Sequence, residues 1–247
     1  MSARVLLATR SQPKAREIRR ILETVPGLEL VSLDDIGLPA IPEEDKVECY
    51  DTFLANATVK AKHFVSRSQM PVIADDSGIE VMALGGAPGV RSKRFAPVSQ
   101  PGTTDQDEAN NQMLLERLEG VPPEQRTARY VCVAVLAYPN CRVLSATGYC
   151  YGRILDDYRG DGGFGYDPLF FVPELGRTFA EVEPEVKNRL SHRGQAFRNL
   201  YCGIGTEDDK FRRVFAREKR SNIGFRGYRP DYGQAPCTGR LPRRRCF

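Results

Sequence analysis

Two long β-rich runs, Thr127 to Tyr138 and Arg142 to Ile154, flank Pro139-Asn140-Cys141 and commit the middle of this chain to an antiparallel hairpin. The first of them contains the unbroken apolar stretch Tyr130-Val131-Cys132-Val133-Ala134-Val135-Leu136, with Cys132 inside it. Whatever covers it must come from the remaining segments, and those alternate between strand and helix. Arg4 to Ala8 reads as a buried strand and Pro13 to Leu22 as a helix, with proline in its first turn and Ala15, Ile18, Ile21 and Leu22 at helical spacing. Leu28 to Ser32 is a second strand. From Asp51 to Ser66, Phe53, Ala57, Ala61, Phe64 and Val65 form one apolar helical face, while Asn56, Lys60 and His63 share another. Pro71 to Ala74 is a short strand ending where two acids begin. Asp105 to Leu118 has acids in its first turn and Met113, Leu114 and Leu118 facing inward; Leu169 to Val172 is a further strand and Arg193 to Tyr201 a closing helix. This order predicts an α/β fold rather than separate all-α and all-β pieces.

With 247 residues, 41% hydrophobic and 28% charged, such a chain buries a substantial core as one large domain or two lobes. Its seven cysteines are odd in number and contain no C-x-x-C pair, which predicts reduced thiols rather than a disulfide frame. Two histidines and no cysteine cluster argue against zinc. No stretch approaches the roughly 20 apolar residues that cross a bilayer, so a soluble cytoplasmic protein without membrane contact is expected. The net charge of +4 is unevenly spread. Residues 1–202 hold 24 Lys and Arg against 27 Asp and Glu, a net of −3, and residues 203–247 hold 12 against 5, a net of +7. The chain therefore divides into a domain, 1–202, and a basic Arg/Gly/Pro-rich tail, 203–247, expected to be largely disordered apart from a short helix around Lys210 to Lys219. Nucleic acid would be met only through that tail.

Four polar constellations sit where strands end, the usual place for ligand groups in α/β folds. Thr9-Arg10-Ser11-Gln12-Pro13-Lys14 offers hydroxyls, a lysine and free helix-start amides to a phosphate, although an ordinary N-capped helix explains Ser11 and Pro13 equally well. Ala74-Asp75-Asp76-Ser77-Gly78 puts two carboxylates straight after a buried strand, where charge is costly unless it meets a cation or a metal. Glu48 precedes the long helix; alone it reads as a solvated acid, and beside Asp76 it would suit magnesium, which takes oxygen ligands, phosphates and water. Lys187 and Ser191-His192-Arg193 place donors at the start of the last helix, against the usual dipole preference. A glycine-rich loop, Gly162-Gly163-Phe164-Gly165-Tyr166-Asp167-Pro168, is either a turn capping the core or backbone bent to hold something flat.

Taken together with Leu84-Gly85-Gly86-Ala87-Pro88-Gly89-Val90, these segments have the order and spacing of the inosine triphosphate pyrophosphatase family, and the chain resembles its bacterial-type dITP/XTP members over about residues 4–201. The resemblance implies an elongated mixed α/β fold with a long twisted sheet, two lobes and a nucleotide cleft between them. It also implies a homodimer that uses magnesium to hydrolyse ITP, dITP or XTP to monophosphate and pyrophosphate, cleansing the nucleotide pool. By position, Asp76 matches the family's catalytic acid and metal ligand and Glu48 its second metal carboxylate. Thr9, Arg10, Ser11, Gln12, Pro13 and Lys14 match the phosphate segment; Ser77, Phe164, Gly165, Tyr166, Asp167, Lys187, His192 and Arg193 match nucleotide contacts. The chain departs from the family pattern at Arg10-Ser11, where Gly-Asn is usual, at Cys49-Tyr50 in place of Thr-Gly, and at Ala55 in place of an acid. Ser11-Gln12-Pro13-Lys14-Ala15-Arg16 also suggests a Maf-like pyrophosphatase acting on pyrimidine or modified nucleotides, and a degenerate nucleotide binder without catalysis is the third reading. A substrate panel separates the three.

Overall fold

The computed structural model describes residues 3–97 and 105–204. The basic tail beyond residue 204, with its expected disorder and short helix, lies outside the described residues. Seven strands form one sheet: β1 (Ala3–Leu7), β2 (Leu28–Ser32), β3 (Val72–Val81), β4 (Thr127–Ala137), β5 (Val143–Ile154), β6 (Phe170–Val172) and β7 (Arg177–Thr178). Their order across the sheet is β2-β1-β3-β4-β5-β6-β7. The β1 strand runs parallel to β2 and β3, and every pairing from β3 onward is antiparallel, so the sheet is mixed as expected. The hairpin of β4 and β5 pairs from Thr127↔Arg153 to Ala137↔Val143, and Cys141 in its turn takes a left-handed φ of 66°.

Among the described residues five α-helices flank the sheet: α1 (Gln12–Leu22), α2 (Phe53–Ser68), α3 (Gln106–Arg117), α4 (Pro184–Leu190) and α5 (His192–Ile204). Alternation along β4 decides how they are layered. Cys132, Ala134 and Leu136 face α1 and α5, where Ile18, Leu22, Phe197 and Leu200 complete a core. Val131, Val133 and Val135 face the other way, onto Phe53, Ala57, Ala61 and Phe64 of α2. A third cluster fills the β5-β6-β7 end around Phe170, Phe179, Leu114 and Leu118. Burial of each such side chain contributes roughly 1.5–3 kcal/mol, so the three clusters hold both ends of the sheet without covalent staples.

Two expectations need correction. The third strand does not stop at Ala74; it continues through both acids to Val81, because β4 offers it a partner at every residue from Val72↔Ala137 to Val81↔Ala128. Propensity disfavours Asp-Asp-Ser-Gly in a strand, and continuous pairing overrides it. Second, α4 lacks the apolar spacing that would announce a helix: Lys187 and Asn188 are its buried residues. The last helix begins one residue before the expected Arg193, at His192. It lies close to the sheet because Gly148 of β5 has no side chain; a Cβ there would stand 2.1 Å from the His192 carbonyl oxygen.

Candidate active site

Placing two acids inside a strand sends them to opposite faces. Asp75 pairs across to Ala134 and Ser77 to Cys132, on the face that meets α1 and α5; Asp76 pairs to Val133, on the face that meets α2. Both carboxylates are buried, Asp75 at 1% exposure and Asp76 at 7%. Lys14 stands 3.8 Å and the Arg193 Nε 3.4 Å from Asp75 Oδ2. Burial opposes the Asp75 charge, but Lys14, Arg193 and Lys60 outweigh it and hold the carboxyl below its ordinary range. Asp76 differs: burial is the dominant influence and, with Glu48 nearby, raises its carboxyl despite Lys14 and Lys60.

On the α2 face, Asn56 donates to Asp76 Oδ2 at 2.9 Å and clasps the Tyr50 backbone at both its N–H and its carbonyl, 2.8 and 3.1 Å away. The same side chain thus holds the carboxylate and the loop that carries Glu48. Lys60, one helical turn on, donates to Glu48 Oε1 and to the Asp75 carbonyl. On the face predicted to carry Asn56, Lys60 and His63, Asn56 and Lys60 therefore meet Asp76 and Glu48, while His63 packs edge-on against Phe64.

Between β1 and α1, Ser11 caps the helix through its hydroxyl, which accepts from the Lys14 N–H at 3.5 Å, and Thr9 Oγ1 accepts from the Ser11 N–H at 3.1 Å. Both hydroxyls thus support the loop. The Arg10 guanidinium turns to Glu44 and the Leu38 carbonyl. Gln12 is exposed and does not line the cavity.

The glycine-rich loop spans the gap between β5 and β6. Asp167 holds it together, accepting from the Phe164 N–H at 2.9 Å and from Lys187 at 2.5 Å on one oxygen, and from the Tyr130 hydroxyl at 3.3 Å on the other. Gly165 is pinned to α3 at both ends, donating to Asp107 and accepting from Asn111. Tyr166 is buried with its hydroxyl on the Ser92 carbonyl. Asp167 and Tyr166 therefore shape the loop, and together with Phe164 and Gly165 they line the cavity. Lys187 Nζ lies 4.8 Å and the Arg193 guanidinium 5.7 Å from the Phe164 ring centroid. Both cations are anchored by Glu17 of α1, and Arg193 also donates to Ser77 Oγ at 2.8 Å. Burial, reinforced by Arg193 and Lys187, holds His192 well below its ordinary pKa; the neutral ring stacks on Tyr130 at 4.6 Å, with Nδ1 buried and unpartnered.

These parts line one cavity of about 610 Å³, whose walls include Thr9, Ser11, Lys14, Glu48, Lys60, Ser77, Phe164, Lys187, His192 and Arg193. Asp75 and Asp76 lie behind that wall, next to Ser77. Sequence reasoning passed over Glu17, Asn56 and Lys60 as site residues, and it singled out the Asp75-Asp76 pair without giving Asp75 a role of its own. Glu17 carried one readable signal, since it falls three residues after Lys14 and so shares its helix face.

Glu48 and Asp76 fit a hard divalent cation. They bring carboxylate oxygens from two elements close enough that the Glu48 charge helps raise Asp76, a repulsion that a cation relieves. Among the described residues no group of three or more His, Cys, Asp and Glu is placed to hold a metal.

Comparison with known proteins gives the same picture. The Ham1 family model matches residues 5–202. The dITP/XTP pyrophosphatase of Desulforamulus reducens is 46% identical over 195 residues, covering 79% of this chain and 92% of that protein. That of Thermus thermophilus is 46% identical over 197 residues, covering 80% and 89%. Among solved structures, a HAM1 protein from Coxiella burnetii superposes with a TM-score of 0.70 at 36% identity, over 83% of this chain and all of that one. The dITP/XTP pyrophosphatase of Mycobacterium abscessus gives 0.61 at 37% identity, over 80% and 97%. The motifs, the fold and these relatives agree, and the chain belongs to the Ham1 family.

Proposed function

We propose that this protein hydrolyses purine nucleoside triphosphates with deaminated bases, dITP, ITP and XTP, to monophosphate and pyrophosphate. The observation that carries this reading is the pairing, in one cavity, of an acidic end, lined by Glu48 with Asp76 just behind the wall, with an aromatic and cationic end (Phe164, Lys187, Arg193). Phe164 stacks on the base, and donors from Lys187, His192 or Arg193 meet a 6-oxo acceptor. Adenine presents an amino donor there and leaves those groups unpaired, a penalty that supports strong discrimination. Lys14, at the start of α1, neutralises charge on the phosphates. Asp76, raised by burial, takes the proton of the attacking water. Glu48 and Asp76 would hold magnesium, which offsets phosphate charge and lowers the pKa of a bound water. Homodimerisation and action on the cytoplasmic nucleotide pool complete the proposal.

Pyrophosphate release from dITP, XTP, dATP, dGTP, dTTP and UTP, with and without magnesium, tests it. Magnesium-dependent turnover of dITP and XTP is expected, reduced roughly 10²–10⁴-fold by Asp76→Asn. A preference for dTTP or UTP would replace this reading with the Maf-like one, and no turnover at all with the catalytically silent binder.

A further inference from the structure

The segment between β2 and α2 carries Glu48, yet from residue 33 to 52 it contains only one short 3-10 turn, Pro42–Lys46. Ordering so much irregular chain costs backbone entropy at every residue, so its ties to the body decide where Glu48 stands. Downstream the ties are the Asn56 clasp on Tyr50, Arg94 on the Glu48 carbonyl and Lys60 on the Glu48 carboxylate. Upstream the tie is a cluster of two arginines on one acid. Arg10 Nε and Nη2 donate to the two oxygens of Glu44 at 3.1 and 3.0 Å, and its Nη1 donates to the Leu38 carbonyl at 3.0 Å. Arg67 of α2 reaches Glu44 Oε1 at 2.5 Å and the Pro39 carbonyl at 2.8 Å. The two guanidiniums lie 6.0 and 5.8 Å from the ring centroid of Phe64, a core residue of the α2 face. Burial opposes the Glu44 charge, but its bonds to Arg10 and Arg67 prevail and keep it ionised.

We propose that Arg10 is a positioning residue: through its fork on Glu44 it fixes the β2–α2 segment across the phosphate end of the cavity and so sets where the Glu48 carboxylate stands. Only residues 45–49 separate this tie from the Asn56 clasp. The planar guanidinium is essential, because a lysine offers a point charge and cannot engage both oxygens of Glu44 and a carbonyl in fixed directions. The residue unusual for this family at the phosphate loop thus works on the loop opposite it. The metal arm of the test rests on the reading of Glu48 as a magnesium ligand; the exchange arm does not.

Amide hydrogen exchange of the metal-free protein, with Mn²⁺ binding followed by electron paramagnetic resonance, tests this. Arg10→Gly and Glu44→Gln should each speed exchange across residues 39–50 about tenfold or more while β3 and β4 stay protected, and each should weaken Mn²⁺ binding several-fold. The double variant should be no worse than either single one, and Arg10→Lys should restore less than half of the protection. With dITP, Glu44→Gln should raise the metal concentration for half-maximal rate several-fold. Unchanged exchange in both single variants, or faster exchange with unchanged Mn²⁺ affinity, overturns the proposal. A wild-type protein that takes up no Mn²⁺ sinks the metal reading instead, and exchange alone then decides on Arg10.

Discussion

Asp76 shows how burial perturbs one carboxyl at a cost to the fold. Its carboxyl is raised mainly by burial, so the folded protein binds its proton more tightly than the unfolded chain does. Stability then falls as pH rises from the ordinary carboxylate value through the raised one, because the fold must carry an ill-solvated charge. Asp76→Asn removes that charge and can keep the contact with Asn56. In metal-free protein the variant should melt higher than wild type at pH 8, with the difference shrinking toward pH 4, as scanning calorimetry would show. An equal melting temperature at pH 8 would mean that Lys14 and Lys60 already neutralise the group.

At the scale of elements, the glycine-rich loop illustrates what local sequence reveals and what it hides. Three glycines in four positions made the backbone's freedom visible, and Gly163 uses it, with φ at 74° and room for no Cβ: one would lie 2.1 Å from Asp167 Oδ2. Gly163→Ala should therefore displace Asp167 from the Phe164 N–H, lower stability by about 1–3 kcal/mol in urea unfolding, and raise KM for dITP more than it lowers kcat. The role of Asp167 was not legible in the same way. Its carboxylate reads as a ligand contact until the fold brings Lys187 and Tyr130 to it from α4 and β4. The extension of β3 through Asp75 and Asp76 was likewise hidden, since residues with poor strand propensity are held there by a partner more than 50 positions later.

Across the whole molecule, charges alternate in one buried chain: Asp75 to Arg193, Arg193 to Glu17, Glu17 to Lys187, Lys187 to Asp167. It ties β3, α5, α1, α4 and the glycine-rich loop together, joining the end of the cavity next to Asp75 to the end lined by Phe164. Glu17 is its midpoint. Removing one partner of a buried pair leaves the others uncompensated, so Glu17→Ala should cost about 3–5 kcal/mol of stability, with Glu17→Gln closer to wild type. Chemical denaturation would measure this, and a cost below about 1 kcal/mol would show that water replaces the carboxylate freely.

Periodicity and turn chemistry are properties of neighbouring residues, which is why the strand and helix order, the mixed α/β class, the long hairpin and the family motifs could all be read along the chain. Glu17, Asn56, Lys60 and the turned-away Arg10 could not, because a side chain's partner is set by which faces the sheet register and helix packing bring together. Sequence alone determined which chemical groups are present and on which elements; the tertiary structure decided which charges face each other, since burial and pairing are settled only when distant segments pack.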